Sequence, residues 1–139
     1  SKKAYLDVGG FDNHYFFYNE DIDLCKSLIK KGYLIYYDPR VSIVHYGGLS
    51  TSFRKYHSIV EGYRGGFYLC EKFYGKLILH SYRLIMLFYS LLKLLLLFPI
   101  AIILKQYKQV CWAYLKVLEI NIKQDFKFKH PIENVKVLS

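Results

Sequence analysis

Cysteine is scarce in this sequence, and the three that occur form no recognisable pattern. Cys25, Cys70 and Cys111 are odd in number and widely spaced. This argues against a disulfide-stapled scaffold and against a CxxC metal knuckle, and it favours a reducing compartment. Proline (3 residues) and glycine (9 residues) are also too rare for a collagen-like or low-complexity chain.

Charge is sparse as well, relative to the apolar content. Of the 139 residues, 53% are hydrophobic and 22% are charged, which excludes an intrinsically disordered chain. The length suits one domain with a single core. The sequence begins at Ser1, its only methionine is Met86, and no apolar run of a signal peptide follows the first lysines. We therefore expect further sequence upstream.

The positive charge is concentrated in the second half of the chain. The net charge is +9; residues 76–139 hold 10 Lys and Arg against 3 Asp and Glu, whereas residues 1–75 hold 10 against 8. The basic residues flank blocks of Leu, Ile and Phe. This arrangement predicts contact with an anionic membrane surface and argues against a basic module that binds nucleic acid.

One apolar segment, residues 84–104, has the length of a membrane span. As a helix it would extend over roughly 31 Å, with Lys93 as its only charge and Pro99 as a kink or break. Three alternatives to a span stay open: an interfacial helix with Lys93 snorkelling, a hairpin dipping into one leaflet, and a buried helix of a larger protein. Lysines alternate with apolar residues after it, which is typical of a basic amphipathic helix in a headgroup layer.

The first half of the chain shows shorter elements. Residues 20–31 carry early carboxylates, late lysines and Gly32 as a stop, which predicts a helix with Asn19 as its cap. Residues 33–37 and 41–45 are rich in Tyr, Ile and Val, which predicts two strands separated by a turn at Asp38-Pro39.

A set of motifs occurs in fixed order across residues 1–75. In chain order they are Gly9-Gly10-Phe11-Asp12, Phe16-Phe17-Tyr18, Glu20-Asp21-Ile22-Asp23-Leu24, Gly32-Tyr33, Pro39 and His45-Tyr46-Gly47-Gly48-Leu49-Ser50. The ordered set resembles the C-terminal part of the catalytic domain of family-2 glycosyltransferases, of the rhamnosyltransferase-like type.

The resemblance implies a fold and an activity. The fold class is α/β: the C-terminal half of a GT-A (Rossmann-like) domain over residues 1–75, followed by hydrophobic and amphipathic α-helices over residues 76–139. The activity is inverting transfer from a nucleotide-diphosphate sugar. The family's donor-binding DxD motif is absent from this chain, because Asp21-Ile22-Asp23 falls within the predicted helix and does not follow a strand.

The resemblance also implies roles for particular side chains. Asp21 takes the place of the family's catalytic base, which accepts the proton of the attacking hydroxyl, and Glu20 would orient the acceptor or the base. His45 would complete the coordination of a divalent cation, Mn²⁺ or Mg²⁺. The alternatives are that Glu20 and Asp21 only cap a helix and that His45 bonds to the backbone at a strand end.

The turn before the helix offers candidate substrate-binding residues. Gly9 and Gly10 permit close backbone approach to donor or acceptor. Asp12 could bind a sugar hydroxyl, or it could equally hydrogen-bond its own turn.

Together these features predict part of a membrane-associated glycosyltransferase of surface polysaccharide or glycolipid synthesis. Its partners would be the nucleotide sugar, a glycan or lipid-linked acceptor, and the cytoplasmic face of the cell membrane, with no nucleic acid. The alternative is a non-catalytic membrane protein or remnant that retains the glycosyltransferase fold.

Overall fold

Four α-helices build the described part of the chain. The structure, a computed structural model, describes residues 1–44 and 54–129. Its elements are α1 (Lys2–Asp7), α2 (Glu20–Lys30), α3 (Lys55–Ile103), a 3₁₀ turn (Lys105–Tyr107) and α4 (Lys108–Lys123).

Helix α3 reverses direction at Gly75. This residue has φ 80° and ψ 174°, a conformation that is essentially confined to glycine. Residues on either side of it meet across the reversal: the ring centres of Phe67 and Tyr82 lie 5.4 Å apart, and those of Tyr63 and Tyr89 lie 6.4 Å apart. The N-terminal arm (55–74) and the C-terminal arm (76–103) of α3 are therefore antiparallel neighbours.

Helix α4 completes a three-helix bundle. Arg83 on the C-terminal arm donates from Nε to Asn121 Oδ1 (3.0 Å), and Asn121 Nδ2 donates back to the Arg83 carbonyl (2.8 Å). Beyond α4, Phe126 returns to the bundle and stacks on Phe67 with ring centres 5.0 Å apart. Phe67 is 0% exposed, so the centre of the core lies between the N-terminal arm and the end of the described chain.

The N-terminal segment packs on the outside of this bundle. The Phe128 N–H donates to the His14 carbonyl (3.0 Å), and the rings of Phe16 and Phe128 stack at 4.7 Å. The Asn19 side-chain amide donates to the carbonyl of Gly62 on the N-terminal arm (3.0 Å). These contacts bring the turn before α2, and hence α2 itself, against α3.

The predicted α/β fold class is wrong for the part of the chain described here. The structure is 71% helical, and residues 1–44 and 54–129 contain no strand and no sheet. Residues 33–37 and 41–44, predicted as strands, are irregular and mostly exposed, with Tyr37 at 90%. Their β-forming composition is not sufficient, because a strand becomes stable only when its main chain pairs with a neighbour.

Three further predictions concern the helix at residues 20–31, the effect of Pro99 and the division into domains. The helix predicted at residues 20–31 is confirmed, but its Asn19 side chain does not cap it and bonds to Gly62 instead. Pro99 does not divide α3, which continues to Ile103. The division into domains at residue 75 stays a prediction; the chain does reverse at Gly75, although the core contacts cross that point.

Candidate active site

Asp21, the predicted base, lies in the first turn of α2 on the solvent side. Its side chain is exposed, and its Oδ1 accepts a hydrogen bond from the Ile22 N–H at 2.8 Å. The helix presents it there because Asp23, two positions later, faces the bundle. Successive helical positions are rotated by about 100°, so the two carboxylates point to different sides. Asp21 is accessible to a molecule arriving from solvent.

Glu20 differs from Asp21 in its surroundings. Its Oε2 atom is shielded from solvent and has no hydrogen-bond partner among the described residues. A carboxylate oxygen in this situation is an unused acceptor beside Asp21. A ligand hydroxyl is one group that could satisfy it.

The Gly9-Gly10 turn has the conformation that its sequence predicts. Both residues have positive φ, 82° and 74°. At Gly10 a Cβ would also lie 2.8 Å from the Tyr5 hydroxyl, whose oxygen accepts the Phe11 N–H at 3.2 Å. Glycine is therefore required here by the local fold, and a role in substrate binding stays a prediction.

Asp12 is already engaged by the protein. Its Oδ1 accepts bonds from the His14 backbone N–H (2.9 Å) and lies 2.7 Å from His14 Nδ1. Its Oδ2 accepts from the Tyr68 hydroxyl (2.9 Å) and from Lys72 Nζ (2.7 Å). This includes the turn-stabilising bond that was the alternative to sugar binding, and sugar binding by Asp12 stays a prediction.

Asp23 is the second carboxylate bound by Lys72. It is 2% exposed, and Lys72 Nζ lies 2.9 Å and 2.8 Å from its two oxygens. The Tyr15 hydroxyl donates to the same carboxylate at 2.8 Å. One ammonium thus joins the turn at Asp12, helix α2 and the N-terminal arm of α3; we call Asp12, Asp23 and Lys72, with Tyr15 and Tyr68, the Lys72 network.

Burial and bonding set the protonation of the Lys72 network. Burial alone would raise the pKa of Asp12, but hydrogen bonds from Lys72, His14 and Tyr68 hold it well below its usual range. Burial would lower the pKa of Lys72, and its bonds to Asp12 and Asp23 more than reverse this. Burial and the neighbouring Asp23 raise the pKa of Tyr15, which stays a hydrogen-bond donor. Asp12 and Lys72 are therefore both ionised at neutral pH.

Sequence reasoning missed the Lys72 network. The spacing of α2 contained one signal: Asp23 lies beside the helix's apolar positions, yet it is Asp23 that is buried, while Ile22 and Ile29 are exposed. Nothing in the sequence distinguished Lys72 from the other lysines, because its partners are 49 and 60 positions away along the chain.

The predicted divalent cation has no clustered set of ligands among the described residues. Within 1–44 and 54–129 no three His, Cys, Asp or Glu side chains converge on a point where a metal ion could be held. The carboxylates of Asp12 and Asp23 both bind the Lys72 ammonium. His45, the predicted ligand, lies outside the described residues, and a metal site there stays a prediction.

Behind this region, α3 is long and apolar enough to cross a membrane. Its most apolar window has a mean hydropathy of 2.3, and only 11% of that window is buried in the protein. A core helix of a water-soluble bundle would be mostly buried instead. Lys93, the one charge of residues 84–104, places its Nζ 5.4 Å from the centre of the Tyr89 ring, which is a cation–π contact.

Comparison with known proteins gives a partial match. A segment of this chain is similar to a rhamnosyltransferase. Over 50 residues it is 44% identical to the N-acetylglucosaminyl-diphospho-decaprenol L-rhamnosyltransferase of Mycobacterium tuberculosis, in strains CDC 1551 / Oshkosh and ATCC 25618 / H37Rv alike. The match covers 36% of this chain and 16% of each relative.

Because the match is partial, it supports a conclusion only at the level of a broad enzyme class. No family model matches the chain, and no solved structure does. The similarity supports a relationship with glycosyltransferases, and thus with transferases as a class. The relative, by its name, acts on a lipid-linked substrate, which agrees with the exposed apolar arm of this chain.

Proposed function

We propose that this chain is part of a membrane-associated glycosyltransferase that transfers a sugar from a nucleotide-diphosphate donor to a hydroxyl of a lipid-linked acceptor. The observation that carries the proposal is the 50-residue similarity to a rhamnosyltransferase whose name specifies N-acetylglucosaminyl-diphospho-decaprenol. The exposed apolar arm of α3 supports it, because an acceptor that resides in a bilayer is best met by a protein held at the bilayer surface.

In the proposed reaction Asp21 removes the proton of the acceptor hydroxyl. The hydroxyl oxygen then forms a bond to the anomeric carbon of the donor while the bond from that carbon to the diphosphate oxygen breaks, with inversion. The nucleoside diphosphate leaves with the electron pair. The exposed carboxylate of Asp21 can reach such a hydroxyl, and general-base assistance of this kind contributes typically 10²- to 10⁴-fold in rate.

Glu20 serves as the orienting group in this proposal. Its Oε2, which is shielded and has no partner among the residues the structure describes, accepts a hydrogen bond from the acceptor sugar and fixes the attacking hydroxyl near Asp21. The Lys72 network acts behind both residues. By holding Asp23 it sets the rotation of α2, which turns Asp21 outward, and it ties that helix to α3.

The test is transfer by the protein in its native membranes. A nucleotide-diphosphate L-rhamnose with a radiolabelled sugar is offered with N-acetylglucosaminyl-diphospho-polyprenol, and label is counted in the extracted lipid. We expect Asp21→Asn to lower kcat by about 10²-fold or more. Asp38→Asn is the matched control, because Asp38 is an exposed aspartate outside α2 that pairs with Arg40 (2.8 Å).

The outcomes separate the alternatives. Wild-type turnover by Asp21→Asn would remove Asp21 from the role of base. Failure of the unaltered protein to transfer sugar from any nucleotide-diphosphate donor, with membrane binding intact, would favour the non-catalytic membrane protein instead.

A further inference from the structure

An apolar groove opens at one end of the bundle, where α3 ends and α4 begins. It has a volume of about 420 Å³, within the range of small-molecule sites. Six apolar side chains and one charged one line it: Phe98, Ala101, Ile102, Cys111, Trp112, Leu115 and Lys108. We call it the 98–115 groove.

The groove forms because small side chains lie at its base and large side chains lie on its sides. Ala101 and Cys111, both buried, are small and form its floor, so the two helices leave space between them. Phe98, Ile102 and Trp112 are large and form its walls. Trp112 is 66% exposed. A water-soluble protein rarely leaves walls of this kind uncovered, and an apolar ligand chain would cover them.

The surroundings of the groove indicate that the apolar ligand chain belongs to a lipid. Its α3 wall continues the exposed apolar arm, whose most apolar window is only 11% buried. Trp112 lies in the first half of α4, shortly after the 3₁₀ turn (Lys105–Tyr107) at which the apolar arm ends and lysines begin. Tryptophan is enriched at the level where acyl chains meet headgroups.

The charges at the two ends of α4 differ, and the difference indicates the headgroup. Lys116 and Lys123 both donate to Glu119, at 2.9 Å and 2.8 Å. Lys105 and Lys108, at the groove end, form no ion pair within residues 1–44 and 54–129. Lys108, which lines the groove, therefore carries a positive charge that no described carboxylate pairs with, and this charge is complementary to a lipid phosphate.

We propose that the 98–115 groove binds one acyl chain of an anionic phospholipid, with Lys108 against the lipid phosphate and Trp112 beside the upper part of the chain. This deepens the proposed function, on whose membrane association it rests, by naming the surface and the lipid class that hold the protein.

Trp112 provides the measurement because it is the only tryptophan in the chain. The full chain is mixed with phosphatidylcholine vesicles that contain an equal share of lipid with brominated acyl chains, either phosphatidylglycerol or phosphatidylcholine. Bromine quenches indole emission only at short range. We expect a blue-shifted Trp112 emission, and stronger quenching by brominated phosphatidylglycerol than by brominated phosphatidylcholine.

Three variants test the parts of the site. Lys108→Gln should lower the apparent affinity for phosphatidylglycerol vesicles about fivefold, while Lys123→Gln, the matched control on the same helix, should leave it nearly unchanged. Cys111→Phe fills the floor and should reduce quenching with the helical circular dichroism preserved. If Cys111→Phe fails to fold, Lys108→Gln still decides the headgroup.

Different results would overturn different parts of the proposal. Equal quenching by the two brominated lipids would overturn the anionic headgroup, and absence of quenching by either would overturn the acyl chain. Quenching relieved by added polyprenyl phosphate, and not by unlabelled phosphatidylglycerol, would replace the phospholipid with the acceptor lipid. Asp21→Asn should bind vesicles normally, so a failure of the glycosyltransfer proposal would leave this measurement unaffected.

Discussion

The two arms of α3 have the same secondary structure and opposite surroundings. On the N-terminal arm, Val60 and Phe67 are buried against α4, the second arm and Phe126. On the C-terminal arm, Phe88 and Leu95 are among many large apolar side chains that point away from the bundle. Apolar content alone therefore does not make a residue part of the core, because a neighbouring element must cover it. Over most of the second arm, none of the elements in residues 1–44 and 54–129 does so.

Truncation of one phenylalanine on each arm should show the largest contrast. We expect Phe67→Ala to lower the free energy of unfolding by about 3–5 kcal/mol, because it leaves a cavity against Phe126 and Tyr82. Phe88→Ala, on the exposed side of the second arm, should change it by less than about 0.5 kcal/mol.

The measurement for this pair is unfolding by a denaturing detergent, followed by circular dichroism in mild micelles. Phe88→Ala should instead weaken partition into vesicles, since that side chain faces the membrane in our proposal. Equal destabilisation by the two variants would show that the arms are not in different surroundings.

Removal of the central cation of the Lys72 network should have an intermediate effect. Lys72→Met leaves Asp12 and Asp23 facing each other without the ammonium between them. With part of the Lys72 side chain exposed, we expect a loss of about 1–3 kcal/mol in the same unfolding assay. The control is Lys30→Met, an exposed lysine with no ion pair in the described ranges, and a loss as large as that of Lys72→Met would contradict the network's role.

The smallest of the three effects should be the loss of stability in acid that follows from protonation of Asp12. The pKa of Asp12 is lower in the folded protein than its unfolded value of about 3.9, so its stabilising contribution is present above that pH. It is lost as the pH falls below about 4 and through the folded pKa. The free energy of unfolding is measured at a series of pH values from neutral downward. Asp12→Asn should reduce the loss of stability below about pH 4. An unchanged loss in the variant would show that Asp12 does not cause it.

Local signals in the sequence predicted local structure. The charge order along residues 20–31 predicted α2, and the exposed apolar arm agrees with the membrane contact that residues 84–104 indicated. Gly9 and Gly10 were placed in a turn, and both have the positive φ that favours glycine there. Each of these features depends on neighbours within a few positions, which a sequence displays directly.

Features that depend on distant partners were not predictable. Residues 33–44 have strand-forming composition, but pairing is a property of the whole chain, and no sheet forms in the described residues. The burial of Asp23 is likewise explained only by Lys72, 49 positions later. For the candidate site, the sequence indicated Asp21 and Glu20 and gave no indication of the contacts that fix their helix.

The reversal at Gly75 bears on the order in which the bundle assembles. Phe67 and Tyr82, which meet across it, are separated by so few residues that closing the loop between them carries little entropic penalty. The partners Arg83 and Asn121 are 38 positions apart. The two arms can accordingly pair as a helical hairpin while the chain is still being synthesised, before α4 has left the ribosome, and this early partner would shield part of an otherwise aggregation-prone segment.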